Sequence, residues 1–200
     1  MSEQIYLPVI GIDNLHYGKV TADSSAAYTG STPVAIPGMT EAGYNRNAQI
    51  SSFFADNVTY CTAAGNGEID GAFAVADVPP KLASDLYGDK YNAETGELLM
   101  GEMNPPDVFL QYRIKKSNGA WRYITLYKVK CAPVDQKVVT QGNSINFQTN
   151  GFTFKAAYSA HNGSFCRVVD DDDPNLPNGV TAALIAEKYF TEANWEISAS

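Results

Sequence analysis

The clearest alternation of apolar and polar positions flanks Asn118-Gly119 near the centre of the chain. Asn-Gly is the preferred pair for a two-residue type I′ turn, in which both residues take positive φ. A turn at this pair predicts an antiparallel hairpin with Ile114 opposite Tyr123 on one face and Lys115 opposite Arg122 on the other. The first face is almost wholly apolar and is expected to cover the core. The second face mixes basic and apolar residues.

Further alternating runs between turn-forming residues predict short strands along the rest of the chain. They lie at residues 5–21, 34–57, 68–75, 144–159 and 164–169. The segment 77–88 predicts a helix, because Pro80 suits a first helical position and Gly88 a C-terminal stop. A second run with helical composition covers residues 180–190.

This pattern predicts a mainly β protein: an antiparallel β-sandwich or partial barrel with one flanking α-helix. The 200 residues are enough for one hydrophobic core. We therefore expect a single domain over residues 1–200, with an N-terminal arm at about 1–10 and a C-terminal extension at about 174–200.

The charges are distributed unevenly along this acidic chain. The central stretch 113–130 holds six of the fourteen basic residues and no acid, although the formal net charge is -8. The rest of the chain carries eight basic and 22 acidic residues, a balance of −14. A polyanion that approached the basic hairpin would therefore meet a repulsive field, which argues against a nucleic-acid platform.

A surface of another copy that covers the hairpin would explain both the basic cluster and the opposed cations. A basic patch that meets a different acidic patch makes a head-to-tail contact, which yields rings or filaments. The alternative is that the charges pair within the monomer or only keep the hairpin soluble. The residues of the hypothetical subunit interface are Arg113, Lys115, Lys116, Trp121, Arg122, Lys128, Asp170, Asp171, Asp172 and Asp173.

The sequence contains no recognisable catalytic or metal-binding pattern. His16 and His161 lie outside any nucleophile–base context, and the run Asp170–Asp173 lacks the alternate spacing of calcium loops. Three widely spaced cysteines argue against a disulfide framework or a zinc site and favour a reducing cytosol; each is expected to act as a small buried apolar residue. We expect no signal peptide, transmembrane helix, cofactor or enzymatic activity.

Several segments together resemble the major tail proteins, or tail tube proteins, of long-tailed bacteriophages with non-contractile tails. The matching segments span most of residues 10–175 and read "IGIDNLHYGKVT", "AQISSFFADN", "EIDGAFAVADVPPKLASDLYG", "KKSNGAWRYITLYKVK", "FQTNGFTF" and "VVDDDDPN". The resemblance is most specific in the combination of the third and fourth segments at this separation.

The resemblance implies a β-sandwich with a flanking helix and no catalytic residues. It implies hexameric rings that stack into a tube around the tape measure protein, between a tail terminator and tail-tip proteins. Double-stranded DNA would pass through the lumen without sequence-specific binding, and no membrane is involved. The protein would be made in the host bacterial cytoplasm and reside in the virion tail.

Ring stacking in such tubes uses a long loop between early strands, and the nearest candidate here is residues 53–65. Its hypothetical contact residues are Phe53, Phe54, Asp56, Asn57 and Tyr60. Two other functions stay open at this point. One is a tube protein of a related bacterial injection or secretion apparatus; the other is a monomeric β-sandwich binding module or small enzyme.

Overall fold

The structure is a computed structural model that describes residues 6–65, 67–136, 138–140 and 147–197. The predictions for the start of the N-terminal arm, residues 144–146 and the end of the C-terminal extension lie outside the described residues. The described residues form thirteen strands and two helices. The elements are β1 (Val9–Asp23), β2 (Tyr28–Gly30), β3 (Val34–Ala35), β4 (Met39–Asn47), β5 (Ile50–Ala55), β6 (Val58–Ala64), β7 (Glu68–Val75), α1 (Pro80–Tyr87), β8 (Lys90–Tyr91), β9 (Leu98–Leu99), β10 (Val108–Lys116), β11 (Trp121–Pro133), β12 (Asn150–Ala156), β13 (Cys166–Asp170) and α2 (Ala182–Lys188).

Nine strands pair in one antiparallel sheet that folds into a sandwich. The main path is β2-β1-β10-β11-β12-β7-β4, with β13 beside β11 and β3 beside β1. The long strand β11 pairs with β13 through residues 122–126 and with β12 through residues 129–133, so two layers diverge from it. Large apolar side chains such as Phe73, Leu110 and Phe152 form the main core. The predicted fold class is confirmed.

The central hairpin forms at the predicted place, but its register differs by one residue near the turn. Lys115 lies opposite Trp121 and Ile114 opposite Arg122, where the sequence predicted Lys115 opposite Arg122. The difference arises because the loop has three residues instead of two, and Gly119 at its end takes φ 90. Such a loop is the next most common hairpin connection after the two-residue turn.

The register shift changes which side chains of β11 point to which side. Ile124 and Leu126 reach the main core, whereas Tyr123, predicted to do so, lies on the opposite face. That opposite face is not open to water, since Phe109, Gln111 and the other side chains there are buried. Because the central strands are covered on both faces, the second face of the hairpin mixes apolar residues with the basic ones.

Helix α1 has the predicted ends and lies against the main core. Leu82 and Leu86 are buried there, and Gly88 closes the helix in the left-handed conformation with φ 81. A β-carbon at Gly88 would clash with the carbonyl oxygen of Asn104, so only glycine fits. The carboxylate of Asp85 accepts hydrogen bonds from Lys19 and other donors and so ties the helix to β1.

The C-terminal stretch covers the second face of the β10–β11 layer. Tyr189 packs on Tyr123, and its hydroxyl accepts a hydrogen bond of 2.7 Å from Thr125. The buried Gln111 side-chain amide donates to the backbone carbonyls of Tyr189 and Glu192. The predicted extension is thus part of the folded body, and α2 confirms the helical composition of residues 180–190. Neither described helix is long and apolar enough to cross a membrane.

Candidate functional site

A projecting β-hairpin is the most distinctive surface feature of the chain. Strands β5 and β6 pair with each other in a separate two-stranded sheet and connect directly to β4 and β7. We call residues 50–64 the arm; it is a different segment from the N-terminal arm at about residues 1–10. Its tip is Asp56-Asn57, with φ 51 and 63, the pair of positive values that a two-residue type I′ turn requires. At about 3.4 Å per residue, the arm extends on the order of 20 Å from the sandwich.

The arm exposes apolar side chains on both of its faces. All its residues are exposed except Ala55, which is half-buried, and its single formal charge is Asp56. The large exposed side chains are Ile50, Phe53, Phe54, Val58 and Tyr60, each 59–75% exposed. An isolated two-stranded hairpin is only marginally stable in water, and exposed apolar patches mark interaction sites. Exposed apolar residues on so thin a hairpin are typical of an interaction surface.

All five residues of the predicted ring-stacking loop lie on the arm. The structure differs from the sequence prediction in that this segment is a regular hairpin instead of a loop. The alternation on either side of Asp56-Asn57 is a hairpin signal that would also have assigned Ile50 and Val58 to the arm. Cys61 also lies here and is exposed, so the expectation that it is buried was wrong.

The acids that pair with the basic hairpin come from the chain itself. The ammonium of Lys116 lies 2.6 Å from Asp170 and 2.5 Å from Asp172. Arg122 holds Asp170 through two hydrogen bonds of 2.6 and 2.8 Å. Strand β13 lies beside β11, and this pairing brings the two segments together. Hydrogen bonds from Arg122, joined by those from Lys116, lower the pKa of the Asp170 carboxyl despite its burial.

The other cations of the hairpin are paired in the same manner, with one exception. Arg113 makes hydrogen bonds of 2.6 and 3.2 Å to Asp13 and lies over the Trp121 ring. Lys128 lies 3.3 Å from Asp23, and Lys130 lies 3.2 Å from Asp107. Asp13 and Asp23 are far away in sequence and reach the hairpin only through strand pairing, whereas Asp107 directly precedes β10 and lies near Lys130 because Val108 pairs with Val129.

Lys115 is the exposed hairpin cation without an ion pair among the described residues. Its ammonium lies 5.5 Å from the Trp121 ring centre. The pairing of the other five cations is the alternative that sequence analysis left open, and it removes the charge imbalance that motivated the subunit-interface hypothesis. A contact between copies at this hairpin stays a prediction, and Lys115 is the residue on which it can be tested.

The remaining residues of the acidic run have local structural partners. Asp171 accepts a hydrogen bond of 2.8 Å from the Trp121 amide, and burial raises the pKa of its carboxyl. Asp173 accepts a hydrogen bond of 2.8 Å from the Asn175 amide. Among the described residues, no group of three or more His, Cys, Asp or Glu side chains is placed to hold a metal ion.

The grooves of the molecule contain no evident catalytic arrangement in the described residues. A groove of about 620 Å³ crosses β7, β12 and β11, with Asp70, Lys130 and Lys155 at its polar positions. Cys131 lines it, but burial raises the pKa of that thiol to about 12, so it stays protonated at neutral pH. His16 lies away from this groove and stacks on Phe190 at 4.8 Å.

Comparison with known proteins does not identify a function for the arm or for the grooves. No family model matches the chain, and no curated protein is significantly similar to it. Functional inference therefore depends on the arm, on the paired charges and on the sandwich that carries them.

Proposed function

We propose that this protein is a virion structural protein, the tail tube subunit of a bacteriophage with a long, non-contractile tail. Copies form hexameric rings that stack into a tube, and the genome leaves the capsid through its lumen. The protein performs no catalysis. The resemblance of the sequence segments and the antiparallel sandwich with its flanking helices support this proposal.

The arm is the observation on which the proposal chiefly depends. A 15-residue hairpin with one charge and five exposed large apolar side chains is costly for a monomer in water. The two outer edges of its sheet carry backbone groups without strand partners in the described residues, and such edges invite pairing with another chain. An assembly in which a second copy covers every arm removes both costs.

The arm also fits repetitive assembly better than a closed dimer. Where a hairpin inserts into a different patch of the next copy without a reciprocal exchange, the contact is heterologous and propagates head to tail. In the proposed tube, the arm of one ring contacts the neighbouring ring. Phe53, Phe54 and Tyr60 supply the apolar contact area, and Asp56-Asn57 forms the leading turn.

The remaining partners follow from the same role. The tube encloses a tape measure protein and ends at tail terminator and tail-tip proteins. Double-stranded DNA passes through without sequence-specific binding. With a formal charge of -8 per chain, a ring of six carries −48, which disfavours adhesion of a polyanion. The subunit is made in the host bacterial cytoplasm and functions in the virion.

Electron microscopy of the purified protein at high concentration, with its mass measured in solution, tests the proposal. Uniform rings or hollow tubes are the expected result. A monomer that stays monodisperse in all salts, even after tail-tip and tape measure proteins are added, would contradict it and favour a monomeric binding module. Tubes recovered from a bacterial injection apparatus instead of a virion would favour the alternative that the protein forms the tube of that apparatus.

A further inference from the structure

A groove of about 540 Å³ lies between β4 and β13, two strands at edges of the main sheet. Tyr44 and Arg46 line it from β4, and Cys166 lines it from β13. The turn between β12 and β13 adds Tyr158 and Phe165, whose rings are in edge-to-face contact at 5.4 Å. Neither β4 nor β13 pairs along its outer edge in the described residues. We call this cleft the aromatic groove.

The residues that line the aromatic groove include one cation and no acid. The cation is Arg46, which is exposed and has no ion pair among the described residues. Tyr44 and Tyr158 beside it are 46% and 58% exposed or less, with Tyr158 at 57%. Tyrosine and arginine are enriched among the residues that dominate protein–protein contacts, and a groove of this volume can enclose large side chains. The aromatic groove therefore suits an apolar segment that carries one carboxylate.

The tip of the arm, residues 54–58, is a segment of that kind. Asp56 is its single formal charge, is exposed and has no ion pair among the described residues. Phe54 and Val58, on either side of the turn, are 64% and 59% exposed. Phe53 and Tyr60, farther from the turn, contact each other edge to face. The tip thus complements the aromatic groove both in charge and in apolar surface.

The tip cannot reach the aromatic groove of its own chain. Arg46 lies four residues before Ile50, at the base of the arm. The six residues of β5, at about 3.4 Å each, carry Asp56 roughly 20 Å away from that base. A regular two-stranded hairpin does not fold back onto its own base. A tip that fills the groove must therefore come from another copy.

We propose that the aromatic groove receives the arm tip of the next copy. Asp56 pairs there with Arg46, and Phe54 packs on the exposed tyrosines of the groove. The inference rests on the proposed function, in which the arm of one ring contacts the neighbouring ring, and it names the surface that receives the arm. The outer edges of β4 and β13 can also pair with the outer edges of the arm. Each copy offers both a tip and a groove, so the contact repeats from copy to copy.

The first experiment measures the rate of assembly by light scattering in a double-mutant cycle. Arg46→Glu should slow assembly about tenfold, because it places an acid against Asp56. Asp56→Asn keeps a residue type that tolerates the positive φ of this position, and alone it should also slow assembly. In the Arg46→Glu background, Asp56→Asn should instead speed assembly, because it removes the repulsion.

The control background is Lys90→Glu, which changes the net charge equally at an exposed cation without an ion pair among the described residues. There, Asp56→Asn should slow assembly as it does in the wild type. The monomers of all variants should unfold at nearly the same temperature, because substitutions at exposed positions change stability little. If Asp56→Asn slows assembly in the Arg46→Glu background as well, the inference is overturned.

The second experiment cross-links the two surfaces in assembled material. The protein carries Cys61→Ser and Cys166→Ala, with Val58→Cys at the tip and Ser164→Cys in the groove, and is treated with a short bifunctional maleimide. We expect a ladder of covalent products that extends beyond the dimer. No ladder is expected when Thr191→Cys, on the C-terminal stretch, replaces the groove cysteine.

The outcomes separate the inference from the proposed function. Tubes that give no ladder would overturn the inference alone. Products that stop at the dimer would show a reciprocal exchange of arms, which closes the assembly and overturns both the tube and the head-to-tail contact. Failure of the wild type to assemble would overturn the proposed function and the inference with it.

Discussion

The ammonium of Lys116 lies 2.6 Å from the carboxylate of Asp170, although 54 positions separate them and the lysine side chain is only 8% exposed. Arg122 binds the same carboxylate from the neighbouring strand. One acid thus joins the tip of the β10–β11 hairpin to β13. The sequence presents these groups as a basic cluster and an acidic run, and the fold presents them as a single network.

Replacing Asp170 with Asn should destabilise the protein. The change removes one acid from the network, but the buried Lys116 keeps Asp172 at 2.5 Å, so the expected loss is about 2 kcal/mol, below the cost of a buried charge left without a partner. For a chain of this size that corresponds to a fall in Tm of roughly 4–8 °C. Asp173→Asn is the matched control, because Asp173 belongs to the same run, has no ion pair among the described residues and keeps an acceptor oxygen. Equal losses from the two substitutions would contradict this account.

The network also predicts how stability depends on pH. Hydrogen bonds from Arg122 and Lys116 lower the pKa of Asp170 below its ordinary 3.8. A carboxyl with a folded-state pKa below its unfolded value stabilises the fold above the unfolded pKa, and this contribution is lost as pH falls through the folded pKa. Thermal unfolding should therefore give a Tm that declines below about pH 4. A Tm that rose on acidification would contradict the prediction.

Asp171 should behave in the opposite sense. Burial raises the pKa of its carboxyl above 3.8, so ionisation on the way to neutral pH opposes folding. Asp171→Asn should thus raise the Tm at pH 7 relative to Asp173→Asn, provided that the amide oxygen keeps the hydrogen bond from Trp121. A lower Tm for Asp171→Asn would show that the charge is needed.

Lys115 provides the cleanest test of a contact between copies at the central hairpin. It is the exposed cation there without an ion pair among the described residues, so Lys115→Glu should leave monomer stability within about 0.5 kcal/mol. If an acidic surface of another copy covers the hairpin, the reversal should slow assembly, measured by light scattering. Lys90→Glu is the matched control at an exposed lysine on β8. Equal assembly rates for both variants would exclude the hairpin as a subunit contact.

Local chemistry predicted much of this fold. The limits of α1 follow from Pro80 and Gly88, and the strand from Glu68 to Val75 follows from its alternation and from the glycines that precede it. The predicted register of the central hairpin was wrong by one residue, because Asn-Gly suits both two- and three-residue loops. The ion pairs could not be predicted for a different reason: Asp13, Asp23 and Asp170 reach the hairpin only through strand pairing that charge patterns do not encode. At the arm, the aromatic residues were identified, but their hairpin geometry was not.

The three cysteines should differ sharply in reactivity towards a thiol reagent. Cys61 is exposed on the arm, whereas burial raises the pKa of Cys131 to about 12 and also raises the pKa of the half-buried Cys166. The native monomer should therefore show one fast-reacting thiol, which Cys61→Ser removes. In assembled tubes that thiol should be protected, because the arm is covered. Unchanged reactivity of Cys61 in tubes would place the arm outside the contact between rings.

The arm is tested most directly by electron microscopy of two variants beside the wild type. Phe53→Ser with Tyr60→Ser removes apolar contact area from residues that are 61% and 75% exposed, so the monomer should keep its stability. Ser51→Thr with Thr62→Ser serves as a control on the same strands. We predict tubes from the wild type and the control, and monomers or single rings from the aromatic variant. Tubes of normal length from the aromatic variant would contradict the central claim that the arm joins one copy to the next.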